Sequence, residues 1–489
     1  MSPIRHIISS LLLVACALPA IAADKQPPNI LFLSIDDLRP ELGAYGSEFV
    51  KSPNIDAIAT NGVLFENAYS SVPVCGASRA SMLSGLRPTM TRFVSVSGNV
   101  DKEAPGVVTL PQFFHEQGYT TVSIGKIYHS PKDDKDAWDS VWKPVDEGNN
   151  KQTMGGKGYV SPANQAYIAD PKNKRKGKQP AAAPYENEDV ADSAYFDGMS
   201  TDRAIQNLTD FAKNDKPFFL ALGFSKPHLP FNAPKKYWDM YDRASLTPPS
   251  NGERAKNTNA RAYHSWGELR AYKGVPKDKD SLVGAELATT LRHGYYASIS
   301  YVDAQVGRVI AKLEELNLAD NTIIVVWGDH GWSLGEHTLW AKHSQFSIAN
   351  DIPLIISAPN AQKSLRVASP AESVDIYPTL AGLAGFTAPD TVEGDDLTSV
   401  LTGKVASVKD AAFTRWRDSD TIRTERYHYT EWRRAKTGKV YDSMLFDHKN
   451  DPGETENVIA QNPEVVAELQ KKLHKHINKY EGKAPVVNK

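Results

Sequence analysis

Asn29-Ile30-Leu31-Phe32-Leu33-Ser34-Ile35-Asp36-Asp37 reads as a strand that ends in a pair of carboxylates. Its unbroken apolar run suits a strand buried on both faces, as in a parallel or mixed sheet covered by helices. Three further stretches repeat the pattern. Thr120-Thr121-Val122-Ser123-Ile124 runs into Gly125-Lys126, Phe218-Phe219-Leu220-Ala221-Leu222 approaches Lys226 and His228, and Thr322-Ile323-Ile324-Val325-Val326 approaches Gly328-Asp329-His330. Helical segments lie between them. One covers 110–117 and is stopped by Gly118 in the C′ position. Another sets Ile299, Val302, Val306, Val309 and Leu313 on one stripe. Strand–helix alternation predicts an open α/β sheet. In such sheets ligands gather beyond the carboxyl ends of the strands, so the four charged clusters are expected in one cleft.

A chain of 489 residues is long enough for one large domain and a smaller one. After about residue 400 the pattern changes. Segments 421–432 and 441–446 read as antiparallel strands, and a helix over 463–480 carries Val466, Leu469, Leu473 and Ile477 on one face. The expected division is a main α/β domain over 23–400 and an α+β subdomain over 401–489. Two polar insertions interrupt the main domain. Residues 131–195 include the basic run 172–178, read either as a solvated surface loop or as a contact for an anionic polymer. Residues 245–285 contain Arg261, His264, Trp266 and Arg270.

The net charge of −2 argues against a nucleic-acid binder, which is normally markedly basic. Arg5 and His6, the apolar stretch 7–18 and Ala20-Ile21-Ala22 read as a signal peptide over 1–22, which implies a periplasmic or secreted protein. Leu13-Val14-Ala15-Cys16 offers the alternative of a lipid anchor at Cys16. No other apolar run is long enough to span a bilayer, so no transmembrane span is expected in the mature chain. Removal of 1–22 leaves Cys75 as the one cysteine and excludes an internal disulfide. A lone cysteine in an exported chain is an inert buried thiol, an intermolecular bridge or a reactive site.

The surroundings of Cys75 favour the last. Val74-Cys75-Gly76-Ala77-Ser78-Arg79-Ala80, followed by Ser81-Met82-Leu83-Ser84-Gly85-Leu86-Arg87-Pro88-Thr89, resembles the signature of the formylglycine-dependent sulfatases, C-x-[PA]-x-R with alanine in the third place. The likeness extends over 29–37, 52–56, 62–69, 373–380 and Asp451-Pro452-Gly453-Glu454. Gly125-Lys126-Ile127-Tyr128-His129, Lys226-Pro227-His228-Leu229-Pro230-Phe231 and 328–337 point to the iduronate-2-sulfatase branch. Both polar insertions fit that family poorly.

The resemblance implies an alkaline-phosphatase-like fold, a large mixed sheet flanked by helices, with a smaller C-terminal α+β subdomain. It implies that a separate formylglycine-generating enzyme oxidises Cys75 to the aldehyde. The hydrated aldehyde offers one hydroxyl to attack sulfur and a second to expel the sulfate, which splits a difficult step into two easier ones. Asp36, Asp37 and Asp329 are hard oxygen donors suited to Ca²⁺ or Mg²⁺, and the resemblance implies calcium held by these three with His330. A nitrogen ligand is unusual for Ca²⁺, which makes His330 the odd member. By the same resemblance Arg79 orients the diol, Lys126 and Lys342 bind sulfate oxygens, His129 helps the release step, and His228 protonates the departing sugar oxygen. Trp327 and Trp332 read as packing, and His337 and His343 as structural or rim residues. The expected substrate is a sulfated oligosaccharide or polysaccharide, with a 2-O-sulfated uronic acid or an algal polysaccharide as candidates, and Arg261, His264 and Trp266 are expected to hold the sugar. The rival is a phosphoesterase or phosphonate hydrolase of the same superfold.

Overall fold

The computed structural model describes residues 26–130, 133–147, 157–173 and 180–482. The expected signal peptide and residues 174–178 of the basic run lie outside the described residues. Among those described, no helix is long and apolar enough to cross a membrane.

The four runs of the sequence are neighbouring parallel strands. Asn29–Ile35 lies between Phe218–Phe224 and Thr322–Gly328, and Thr120–Gly125 pairs with the outer side of Phe218–Phe224. Asp351–Ser357 joins Thr322–Gly328 to Val63–Tyr69 by antiparallel pairing, which makes the nine-stranded sheet mixed. Register brings the strand ends level, with Ile35 opposite both Phe224 and Gly328, and Gly125 opposite Gly223. The loops after these strands therefore emerge along one edge.

Alternate residues of the central strand enter two separate cores. Leu31, Leu33 and Ile35 pack with Ile299, Val302, Val306, Val309 and Leu313 of the long Ala285–Glu315 helix. Ile30 and Phe32 pack on the other side with Ala77, Ala80, Met82 and Leu83 of the Cys75–Ser84 helix. Helices thus cover both faces, as the unbroken apolar strands require. Every residue of Cys75–Ser84 is buried, and a Cβ on Gly76 would fall 2.0 Å from the Val96 carbonyl oxygen, so only glycine permits this approach.

The C-terminal sheet differs from the sequence expectation. Segment 421–432 is two strands, Ser419–Arg423 and Tyr427–Arg433, because Thr424 turns the chain and its amide donates to the Tyr427 carbonyl at 2.9 Å. Ala412–Trp416 adds a fourth strand at the edge, next to Ser419–Arg423. The Pro463–Tyr480 helix buries Leu469, Leu473 and Ile477 against this sheet. The 131–195 insertion is not wholly a solvated loop either. Tyr159, Ala182 and Tyr195 are buried, and Tyr185–Glu186 pairs with Phe231–Asn232.

One carboxylate ties the C-terminal sheet to the main domain. Glu454 accepts from the Ser347 amide and hydroxyl, both at 2.8 Å, from His448 Nε2 at 2.8 Å, and from His428 Nδ1. Arg423 donates to His448 Nδ1, so Nε2 carries the ring proton of the neutral imidazole and donates to Glu454. Burial pushes Glu454 up, but its two histidines prevail and hold it well below the usual carboxylate range. Its contribution to stability is therefore complete above the unfolded value of about 4.3 and is lost as pH falls through the lower folded value. Glu454→Ala is expected to cost about 3 kcal/mol in denaturant unfolding at pH 7, and Glu454→Gln to flatten the acid limb of stability against pH.

Candidate active site

The edge of the sheet gathers the chemistry. Asp36 and Asp37 come after the central strand, Asp329 and His330 after its neighbour, Lys126 after the Thr120–Gly125 strand, and Lys226 and His228 after the Phe218–Phe224 strand. Backbone hydrogen bonds continue past the strands. The Asp36 amide donates to Phe224 O at 3.2 Å, Asp329 to Ile35 O at 3.3 Å, and Lys126 to Gly223 O at 2.9 Å. Cys75 opens its helix at the same edge, with Sγ 3.8 Å from Asp37 Oδ1 and 3.2 Å from His330 Nε2.

Asp36, Asp37, Asp329 and His330 are fully buried. Three carboxylates in so little space need compensating charge. Arg79, also fully buried, supplies part of it, with Nε donating to Asp329 Oδ2 at 2.8 Å and Nη2 to Asp36 Oδ1 at 3.3 Å. Its Nη1 donates to Ser34 Oγ at 3.1 Å and to the carbonyls of Lys126 and Ile127 at 2.5 and 2.9 Å. The guanidinium expected to orient the diol at residue 75 is thus engaged by the carboxylates. Lys126 pairs with Asp36. Lys342 donates to Asp37 at 2.9 and 3.1 Å.

This donor set fits a divalent cation. His330 Nδ1 bonds the Gly331 carbonyl at 2.9 Å, which fixes the proton there and leaves the Nε2 lone pair facing Asp37 Oδ1 at 3.3 Å and Asp329 Oδ1 at 3.7 Å. The Cys75 thiol can donate to that lone pair at 3.2 Å, and a cation among His330 Nε2, Asp37 and Asp329 would remove its repulsion with the two carboxylates. Burial pushes Asp37 up to about 7, with Lys342 opposing and Asp36 adding to the rise, a penalty that a bound cation relieves. Burial and then Asp36 also push the Cys75 thiol well above its usual range, the reverse of what a thiolate nucleophile requires.

His228 Nδ1 bonds the Leu229 carbonyl at 2.6 Å, which leaves Nε2 as the exchanging atom, 3.0 Å from Glu268 Oε1 and 3.9 Å from Asp37 Oδ2. Burial, then Lys342 and Lys126, lower His228 to about 4, while the charge of Asp36 and the hydrogen bond to Glu268 work against them. Lys342 also donates to Glu268 at 3.2 Å and lies over the Trp332 ring at 4.9 Å. The loop that carries Lys342 is strained. His337, Thr338, Ala341 and His343 all have φ between 53° and 79°, in the left-handed region that non-glycine residues rarely adopt.

Glu268 escaped the sequence reading. It is one of four acids in a polar insertion, without periodicity or motif, and only the fold turns it toward His228. Of the three residues expected to hold sugar, His264 packs edge-on against His343 with ring centroids 5.9 Å apart, beside the strained loop. Trp266 is buried under the Arg270 guanidinium, 3.3 Å from its ring centroid, and presents no open face for stacking. Arg261 is exposed and reaches instead to Tyr441 and Asp442 of the C-terminal sheet. His129 is exposed at its surface, and partial burial followed by the charge of Lys126 lowers it to about 3. Trp327 and Trp332 are buried, and His337 stacks on Phe346 with centroids 4.0 Å apart.

A cleft of carboxylates, lysines and histidines at the strand ends of an alkaline-phosphatase-like sheet defines an ester hydrolase that handles an anionic group. The chain belongs to the sulfatase family, whose description matches residues 28–386, and it is a sulfuric ester hydrolase. Residues 335–483 match the family described as N-sulphoglucosamine sulphohydrolase, C-terminal. Human iduronate 2-sulfatase is 34% identical over 393 residues, 74% of this chain and 70% of that protein. An ulvan-active sulfatase of Formosa agariphila is 27% identical, over 98% of this chain and 86% of its own. Among solved structures, the phosphonate monoester hydrolase of Silicibacter pomeroyi superposes with a TM-score of 0.75 at 24% identity, covering 94% of this chain and 96% of that one, a likeness of fold.

If the carboxylate cluster takes a divalent ion, Ca²⁺ should raise the melting temperature of chelator-treated protein by several degrees. Asp37→Asn should remove most of that rise.

Proposed function

We propose that this protein hydrolyses sulfate esters of a carbohydrate, with residue 75 as formylglycine and Ca²⁺ held by Asp36, Asp37, Asp329 and His330. The observation that carries the reading is the position of Cys75, 3.2 Å from His330 and 3.8 Å from Asp37, with Lys126, Lys342 and His228 around the same carboxylates. The likeness to iduronate 2-sulfatase and to an ulvan-active sulfatase supports a sulfated sugar, with a 2-O-sulfated uronic acid and algal polysaccharide as the candidates.

Formylglycine supplies, as its hydrate, one hydroxyl to attack sulfur and another to release the sulfate. The cation supplies charge neutralisation for the sulfuryl oxygens. The chain's own residues do the rest. Arg79 holds Asp36 and Asp329 in place, so the attacking group is positioned by a rigid carboxylate frame. Lys126 and Lys342, paired with Asp36 and Asp37, would bind the sulfate oxygens. His228 Nε2 delivers a proton to the departing sugar oxygen. The Leu229 carbonyl fixes its ring, and Glu268 favours its protonated form. His129, exposed at its surface, assists the release step.

Peptide mapping should reveal a loss of mass at residue 75 when the chain is co-produced with a formylglycine-generating enzyme, and Cys75→Ala should abolish turnover. A Cys75→Ala protein with intact turnover defeats the proposal. Aryl sulfate is expected to be hydrolysed in preference to aryl phosphomonoester or phosphodiester; the opposite order favours the phosphoesterase alternative. Glu268→Gln removes the charge that favours protonated His228, so the alkaline limb of kcat should move down by about one pH unit. An unmoved limb assigns the acid to another group.

A further inference from the structure

Beside the sulfate clamp lies a cavity of about 210 Å³ whose walls include Lys126, Lys157, Lys226, His228, Asn232 and Asp197. The clamp uses Lys126 and His228. Lys157 and Lys226 have no part in it. Lys226 is buried and Lys157 partly so, and among the described residues neither has a carboxylate within 4.0 Å. Lys157 Nζ donates to the Tyr272 hydroxyl at 2.9 Å. Lys226 Nζ donates to the carbonyls of His228 and Pro230 at 2.5 and 2.6 Å. An ammonium has three donors, which leaves two on Lys157 and one on Lys226 for a ligand.

The acids in the wall are engaged elsewhere and form no ion pair with these lysines. Asp36 is bound by Arg79 and Lys126, and Asp197 accepts the backbone amides of Ser225 and Lys226, each at 2.8 Å. Buried lysines without an acid partner are rare, because burial disfavours the charge. Here burial lowers both, Lys226 to about 8; Asp197 opposes the fall at Lys226 and Lys157 adds to it, while Glu268 opposes the fall at Lys157, and burial prevails at each.

A second feature points to an occupant. Asn232 is buried, and its Nδ2 donates to the carbonyls of Gly158 at 3.1 Å and Lys157 at 3.4 Å. That fixes the amide and leaves Oδ1 as a buried acceptor with no partner among the described residues. A group that brings negative charge to two lysines and a hydroxyl to this oxygen answers both needs.

Resting on the reading that the substrate is a sulfated sugar, we propose that this cavity seats a second anionic group of the same sugar unit, a carboxylate or a further sulfate, between Lys157 and Lys226, with a ring hydroxyl donating to Asn232 Oδ1. The enzyme then selects dianionic sugars over singly sulfated neutral ones. It does so through a residue of the 131–195 insertion, which fits the family pattern poorly.

The test compares kcat/KM for methyl glucoside monosulfates, with sulfate at each ring hydroxyl in turn, against the matching glucuronoside sulfates and glucoside disulfates. Aryl sulfate is the reference, and full-length protein is used. The wild type should prefer one dianionic series over its neutral counterpart by about tenfold or more, and the preferred series tells carboxylate from sulfate. In Lys157→Gln that ratio should fall toward one, and Lys157→Arg should restore it. A wild-type ratio near one, or a ratio that Lys157→Gln leaves intact, overturns the inference while the carbohydrate reading stands. If aryl sulfate is hydrolysed but no sugar sulfate is a substrate or inhibitor, the carbohydrate reading fails and this inference with it.

Discussion

Three carboxylates buried at one point, two of them held by Arg79 and the third by Lys342, are the constraint on which the rest of the molecule depends. Moving such charges out of water costs several kcal/mol each unless each finds a partner. Asp36 and Asp329 end two adjacent strands, and the guanidinium that bridges them comes from the helix that Cys75 opens. The same guanidinium also holds carbonyls next to Lys126, at the end of a third strand. One planar side chain therefore locks three strand ends and the reactive helix together. Arginine suits this position because its five donors lie in a rigid fork.

Around this frame the polar side chains are arranged by elements distant in the chain. Lys342 arrives on a loop with four non-glycine residues at positive φ, a conformation that persists only because packing over-determines it. His228 is oriented by the carbonyl next to it and by Glu268 from an insertion. The C-terminal sheet reaches the same region through Glu454 and Ser347, four residues beyond His343. Strain near the site is thus supported by buried hydrogen bonds behind it.

Much of this was legible in the residue string. The four apolar runs, the stripe from Ile299 to Leu313 and the terminal helix arise from periodicity, and the structure places them close to where that periodicity does. What periodicity missed were contacts that depend on a turn or on burial. Segment 421–432 is rich enough in β-branched and aromatic residues to read as one strand, and only the Thr424 turn divides it. Trp266 looks like a sugar platform until Arg270 covers it, and Arg261 like a binding residue until it meets the C-terminal sheet.

By itself the sequence determined which residues sit at the ends of buried strands, because an unbroken apolar run and its length are local properties of the chain. It also singled out Cys75 as the candidate reactive position, because the motif around it is contiguous. Tertiary structure alone decided which charges face one another. Glu268 meets His228, and Lys157 and Lys226 line one cavity, through chain separations that no local pattern encodes. The physical reason is range: backbone preference acts over a few residues, whereas Coulomb interaction and desolvation act between whatever groups the packed sheet and its insertions bring together.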